Sequence, residues 1–426
     1  MNTRLITLFA LIICSFPIFS KTNYSDLFQP YSMRFDYYRC GNSNEEKIYI
    51  NGYAKEPFWG GSKVNLIEDA PRGEHIVKIY DLKSGDLIFS QGHNSLFQEW
   101  RTTPEAKKIS KSFAEAFTFP FPKNDVRIEF LSRTKKGDYV SIFSTDINVN
   151  SYFIKQERSN YDTFEILNNG NYANKVDIVI LPEGYTKDQM EQFKSDCKEF
   201  ADAIFSFSPY KENKAKFNVR GVWAPSQESG PDIPGEGIWR NTVFNSQFYT
   251  FDSERYLMID DFQKIKEVAG NVPYDFIYIL TNTTKYGGGG IFNFFAIGAS
   301  SNPGLAAKVH VHEFGHLFAG LGDEYADGTS TEDLYPLNVE PWEPNITTLV
   351  DFDKKWKNML NEKTPVPTPI EAKYEKTLGV FEGGGYMNKG IYRPVQKCLM
   401  REFGGVDDFC PVCNKAIINQ IEWICK

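Results

Sequence analysis

After residue 20 this sequence has no apolar run near the roughly 18 residues needed to span a bilayer, which excludes a transmembrane segment from the rest of the chain. It also lacks blocks of one charge. The net charge is -8, and acidic and basic residues are interspersed, so there is no electrostatic footprint for nucleic acid or an anionic membrane. Internal repeats and low-complexity tracts are missing too, and 41% hydrophobic with 24% charged residues lies in the ordinary globular range. Disordered and collagen-like classes are thereby set aside. Histidine is scarce, with five in 426 residues, yet three of them fall together in the stretch HVHEFGH.

A chain of 426 residues is long for one domain and predicts two. The first twenty residues, MNTRLITLFALIICSFPIFS, place Arg4 before an apolar run and the small Ser20 before a polar segment. That is the layout of a secretory signal peptide and predicts an exported protein, periplasmic, cell-surface or extracellular. Ile13 is too bulky beside Cys14 for the usual lipid-anchor pattern. Removing Cys14 leaves Cys40, Cys197, Cys398, Cys410, Cys413 and Cys425, an even number that permits disulfides, with the four near the C-terminus expected to pair among themselves. Cys410-Pro411-Val412-Cys413 is weak as a zinc knuckle or redox pair because it stands alone, and a structural thiol or disulfide role is favoured.

Residues 21–155 alternate Tyr, Phe, Ile and Val with polar residues, and Ser84-Gly85 and Lys136-Gly137 mark two hairpins, which predicts an all-β sandwich. The polar, asparagine-rich stretch 156–175 reads as a linker or connecting strand. Residues 176–426 change character. VDIVILPEGY reads as a buried strand, Thr186 and Gln189 as the capping box of a helix, FNVRGVWAP as a strand, DDFQKIKEVAG as a helix and YDFIYILTN as a strand. Helices alternating with strands predict an α/β (α+β) catalytic domain. Asn302 and Pro303 make a cap and first position for the helix that holds the histidine cluster.

On that helix His312 and His316 lie one turn apart on one face, where two imidazoles can bind one zinc ion. Glu313, between them in sequence, can act as general base on an activated water, completing an HExxH motif. His310 falls on a different face and is read as structural or supporting. Zinc in a catalytic site needs a third protein ligand. Gly320 can end the helix in the left-handed conformation and turn the chain back, so Asp323 is favoured and Glu324 is its rival. The unused carboxylate could orient a histidine ring. The run Gly287 to Gly290 with IFNFFAIGA reads equally as the upper edge strand of a peptide-binding cleft and as a flexible loop before a buried strand.

The stretch HEFGHLFAGLGDEY, Met400 in KCLM and the following FCPVC together resemble the IgA-peptidase-like secreted bacterial metallopeptidases, a metzincin-type family. The resemblance implies a metzincin-like zinc peptidase domain behind a β-sandwich, one catalytic zinc, and a protein or glycoprotein substrate, with immunoglobulin A as one candidate. It also implies that Met400 forms a turn beneath the zinc-binding histidines. The general metzincin spacing falls on Ala319 and Gly322, whereas Gly320 and Asp323 each stand one residue late. Tyr325, Tyr386 and Tyr392 are candidates to donate a hydrogen bond to a developing oxyanion. The rival reading is a secreted carbohydrate- or protein-binding protein with a structural zinc site, although such a site would have no need of Glu313.

Overall fold

The computed structural model describes residues 23–158, 160–301, 305–326 and 334–426. The expected signal peptide, Cys14 and the Asn302-Pro303 cap lie outside the described residues.

The period-two pattern of the first region folds as strands, joined by loops and two short helices. In chain order it contains helix α1 (Tyr24–Leu27), strands β1 (Phe28–Gly41), β2 (Glu46–Glu56), β3 (His75–Asp81) and β4 (Leu87–His93), and helix α2 (Leu96–Trp100). Strands β5 (Lys111–Pro122), β6 (Val126–Arg133), β7 (Tyr139–Ile147) and β8 (Ile154–Gln156) follow. They form two four-stranded sheets, ordered β5-β1-β2-β8 and β4-β3-β6-β7. Alternate residues of both sheets, including Phe35, Val77, Ile79, Phe119, Ile128 and Phe130, meet in one core. The predicted hairpins at Ser84-Gly85 and Lys136-Gly137 join β3 to β4 and β6 to β7.

The second region begins with β9 (Asp162–Leu167) and β10 (Val176–Glu183), then α3 (Met190–Ile204), β11 (Phe217–Trp223), α4 (Phe262–Ala269) and β12 (Phe276–Thr281). Next come β13 (Gly288–Gly290), β14 (Ala296–Ala299), α5 (Ala306–Ala319), the β15 (Phe381–Gly384) and β16 (Met387–Arg393) hairpin, and α6 (Pro411–Ile424). Six strands make one sheet in the order β13-β14-β12-β10-β11-β9. The four inner strands are parallel and both edges antiparallel. Every residue of β10 and β12 is buried, as expected of parallel strands covered on both faces. On one face α3, α5 and α6 contribute Phe193, Phe200, Val311, Phe314 and Ile417 to a core with Ile178 and Ile180. On the other, Phe262, Ile265 and Val268 of α4 pack on Val179 and Leu181. The capping box forms as expected, with the Thr186 amide donating to Gln189 Oε1 at 2.9 Å.

One expectation needs correction and two others gain detail. The stretch 156–175, expected as a linker or connecting strand, contains the strand β9, which pairs with β11 at the sheet edge and packs Phe164, Ile166 and Leu167 against the core while Asp162, Thr163 and Glu165 stay exposed. The first region does not stand apart, because Leu96, Phe97, Trp100 and Phe113 complete the core around α4. The C-terminal cysteines do not form disulfides: all six described cysteines are free, and Cys398 Sγ and Cys413 Sγ lie 3.9 Å apart, well beyond an S–S bond. Among the described residues no helix is long and apolar enough to cross a membrane.

Candidate metal centre

Helix α5 ends at Gly320, whose φ of +63° is the left-handed conformation of a C-cap, and its amide bonds His316 O at 3.1 Å. A Cβ at Gly320 would lie 2.5 Å from the Trp342 ring, so glycine is needed there for space as well as for φ. The chain then doubles back, and Asn345 holds the returning loop. Its side chain accepts from Gly322 N at 2.7 Å and donates to Gly322 O at 2.8 Å.

This return carries Asp323 onto the two histidines. His312 Nε2 and His316 Nε2 are 3.0 Å apart, and Asp323 Oδ1 is 3.2 Å from the first and 3.4 Å from the second. Each ring donates its Nδ1 proton to a carbonyl, His312 to Leu399 O at 3.0 Å and His316 to Leu321 O at 2.5 Å. With Nδ1 protonated, a neutral ring presents its Nε2 lone pair. Three acceptor atoms therefore face one another in a buried space, and they repel unless a cation lies among them. Asp323 Oδ1 has no hydrogen-bond donor of its own, which marks the same need. Zinc bonds of 2.0–2.1 Å in a tetrahedron would set ligand atoms about 3.3 Å apart. The observed triangle fits such an ion.

The local field agrees. Burial lowers the pKa of His316, but the Asp323 charge outweighs it and pushes the group up to about 9, so the pocket favours a positive charge. Burial would raise Asp323, yet His316 and His312 hold it well below the usual carboxylate range. Glu313 is raised by burial, opposed by the His312 and His316 charges. Glu313 is close to the glycine run, where a Cβ at Gly288 would lie 3.4 Å from its Cγ and one at Gly290 would lie 2.3 Å from its backbone oxygen. The glycines thus permit close approach of β13 to α5. β13 is an edge strand, but its outer side is partly closed, since Gly288 N donates to Arg255 O at 3.2 Å.

Met400 is fully buried, and a Cβ at Gly315, between the histidines, would lie 3.2 Å from its Sδ. Its carbonyl accepts from Glu324 N at 2.8 Å. The Cys398-Leu399-Met400 turn therefore supports both His312 and the returning loop. Glu324 turns away from the histidines: Asn345 Nδ2 donates to its Oε1 at 2.9 Å, and Cys413 Sγ is 3.2 Å from the same oxygen. His310 also faces elsewhere, bonded through Nδ1 to Tyr278 OH at 2.8 Å, with burial lowering its pKa to about 4.

The three tyrosines separate. The Tyr386 hydroxyl donates to Asp323 Oδ2, and Tyr325 OH donates to Tyr386 OH at 3.3 Å. The main chain reinforces this, with Gly385 N bonding Asp323 O at 2.8 Å and Tyr386 N bonding Tyr325 O at 2.9 Å. Tyr386 has a φ of +65°, strained for a side chain of its size. Tyr392 makes none of these hydrogen bonds. It lies on β16 with its main chain paired to Thr347, and after burial the Glu382 charge is what raises its phenol. Sequence reasoning missed Asn345, a lone asparagine in PNITT, and Glu99. Glu99, from α2, accepts from the Tyr256 hydroxyl; burial raises it to about 7, and the charges of His316, Asp323 and Glu313 act on it.

Comparison with known families supplies first the class, a peptidase. The family model described as IgA Peptidase M64 matches residues 164–376 and 370–421, from β9 into α6. The model described as Peptidase M64 N-terminus matches residues 23–144, most of the β-rich region. The chain belongs to the M64 peptidase family. A comparison with curated proteins finds no match.

Proposed function

We propose that this chain is an exported zinc metallo-endopeptidase that hydrolyses peptide bonds in protein or glycoprotein substrates, with immunoglobulin A, named in the family description, a candidate among them. The observation that carries the reading is the convergence of His312 Nε2, His316 Nε2 and Asp323 Oδ1 in one buried space, where two imidazole nitrogens and a carboxylate oxygen can surround one cation. These three residues would hold the ion. When bound, zinc supplies a Lewis acid that lowers the pKa of water to about 7 and polarises the scissile carbonyl.

The protein's own groups do the rest. Glu313, whose pKa burial raises, takes the proton of the attacking water and returns it to the leaving nitrogen. Leu399 O and Leu321 O keep both histidines in the tautomer that offers Nε2. Tyr386 holds Asp323, and Tyr325 backs Tyr386, so the two phenols orient the carboxylate. Met400 packs beneath the histidine turn as a metzincin-type methionine would. The cationic start and apolar run of residues 1–20 support export.

The test is mass-spectrometric mapping of cuts in a mixed peptide library and in immunoglobulin A, with zinc content measured alongside. Wild type should cut internal bonds, and Glu313→Ala should retain zinc but not cut. If wild type binds zinc and cuts nothing, the peptidase reading falls. Export is checked by sequencing the N-terminus of the protein recovered outside the cytoplasm.

A further inference from the structure

One residue beyond Asp323 the chain enters a second cluster of ligating atoms. Sγ of Cys398, Cys410 and Cys413 and a carboxylate oxygen of Glu324 all lie within 4.8 Å of one another. The four residues are almost completely buried, at 0%, 4%, 0% and 0% exposure. Cys398 Sγ to Cys413 Sγ is 3.9 Å, Cys413 Sγ to Glu324 Oε1 is 3.2 Å, and Cys410 Sγ to Glu324 Oε1 is 4.0 Å. A tetrahedral zinc with bonds of 2.3 Å to sulfur and 2.0–2.2 Å to oxygen sets S···S at about 3.8 Å and S···O at about 3.5 Å. The separation of Cys398 Sγ and Cys413 Sγ matches the first, and the two sulfur-to-oxygen separations bracket the second.

Two further observations point to a cation. Glu324 Oε2 has no hydrogen-bond partner although its residue is wholly buried, and the Arg393 charge only partly offsets the cost of that burial. Main-chain amides also donate to sulfur: Cys410 N to Cys398 Sγ at 3.3 Å and Cys413 N to Cys410 Sγ at 3.5 Å. Cys410 caps the N-terminus of α6, where the helix dipole favours negative charge. The two amides and the helix terminus stabilise negative charge on Cys398 and Cys410, while burial opposes it at Cys398 and Cys413, where a cation beside the sulfurs would offset that cost.

We propose that Cys398, Cys410, Cys413 and Glu324 bind a second zinc ion with a structural role. Three thiolates and one carboxylate select zinc among the common divalent ions, and four protein ligands close the tetrahedron and leave no position for substrate. Binding replaces the protons of the three thiols and orders the site. The ion joins α6, the Cys398-Leu399-Met400 turn and the loop that carries Asp323. It thereby positions the third ligand of the first site, while its own four ligands are distinct from that site and from Glu313.

The experiment measures zinc per chain, by mass spectrometry of the metal, in full-length wild type, in His312→Ala/His316→Ala, and in Cys398→Ser and Glu324→Gln. Wild type should carry two zinc ions and the double histidine variant one. Cobalt(II) loaded into that histidine variant should give the intense near-ultraviolet absorption of sulfur-to-cobalt charge transfer, a band that imidazole and carboxylate ligands cannot produce. Cys398→Ser should lose the band, and Glu324→Gln, the milder change, should weaken it, so the proposal can be tested even where a cysteine variant does not fold. A folded histidine variant that holds no zinc and gives no charge-transfer band overturns the proposal, as does a disulfide between any two of the three cysteines in non-reduced peptides. Zinc retained by the histidine variant but absent from the first site in wild type would leave this proposal standing and remove the catalytic reading instead.

Discussion

His75 and His93 in the β-rich region bring their ring centroids to 5.4 Å, and His312 and His316 on α5 bring theirs to 4.7 Å. The separations are similar and the surroundings differ, although a carboxylate, Glu46, stands 3.6 Å from His75 Nδ1. Around the first pair the charged neighbours include cations: burial first, then Arg39 and Arg101, push His75 well below its ordinary 6.5, and Arg39 Nη1 stands 3.4 Å from its Nδ1. His93 is lowered in the same way by burial and by His75, and neither of its ring nitrogens has a hydrogen-bond partner. Around the second pair, two carbonyls set the tautomers and one carboxylate closes the triangle. Adjacent imidazoles alone do not suit a cation; acceptors behind both rings and a carboxylate shared between their Nε2 atoms do.

The comparison breaks most sharply at Glu313. Glu313→Gln should lower peptide hydrolysis by about 10²–10⁴-fold with zinc content unchanged, the range expected on loss of a general base, as read from cleavage rates on one defined peptide. His93→Phe should leave both cleavage and zinc content as they are. If it abolished either, the two pairs would not be separate.

The regions meet through Trp100, which is fully buried in the core around α4. Trp100→Ala should cost about 3–5 kcal/mol of stability, measured by urea denaturation, and removal of residues 21–155 should leave the second region unable to fold. A truncated chain that folded and cut would show the regions to be independent.

Asn345→Ala removes the two hydrogen bonds to Gly322 and the one to Glu324, so about 1–3 kcal/mol should be lost, with a lower thermal midpoint and weaker zinc retention against a chelator. The smallest effect distinguishes the histidine pairs by pH. Because His75 and His93 have folded pKa values below 6.5, the unfolded chain binds protons that the folded chain does not. Their contribution to stability is present above that value and is lost as pH falls towards the depressed folded values, at up to about 1.4 kcal/mol per pH unit per histidine. Denaturation at several pH values between 7 and 5 should show a shallower dependence in His93→Phe; an unchanged slope would mean that His93 is not neutral and buried.

Legibility from sequence tracked how local each cause was. The buried strands β10 and β12, the capping box at Thr186 and the helix stop at Gly320 follow from neighbours within a few residues, and each was readable. The segment holding β9 leaves linker and connecting strand both open in the sequence, because its pairing with β11 is made by the main chain and only Phe164, Ile166 and Leu167 mark its inner side. Tyr392 was placed with the candidate phenols because spacing cannot say which side of a hairpin faces the histidines.

The one-turn spacing of His312 and His316, with Glu313 between them, was determined by the sequence alone, since helical periodicity puts those rings on one face whatever surrounds them. The choice between Asp323 and Glu324 belonged to the tertiary structure. The loop after Gly320 is held by Asn345, Gly385 and Met400 from distant parts of the chain, and those contacts turn one carboxylate towards the imidazoles and the next towards three cysteines. Adjacent residues on an extended segment point to opposite sides, and only the packing around that segment decides which side holds the histidines.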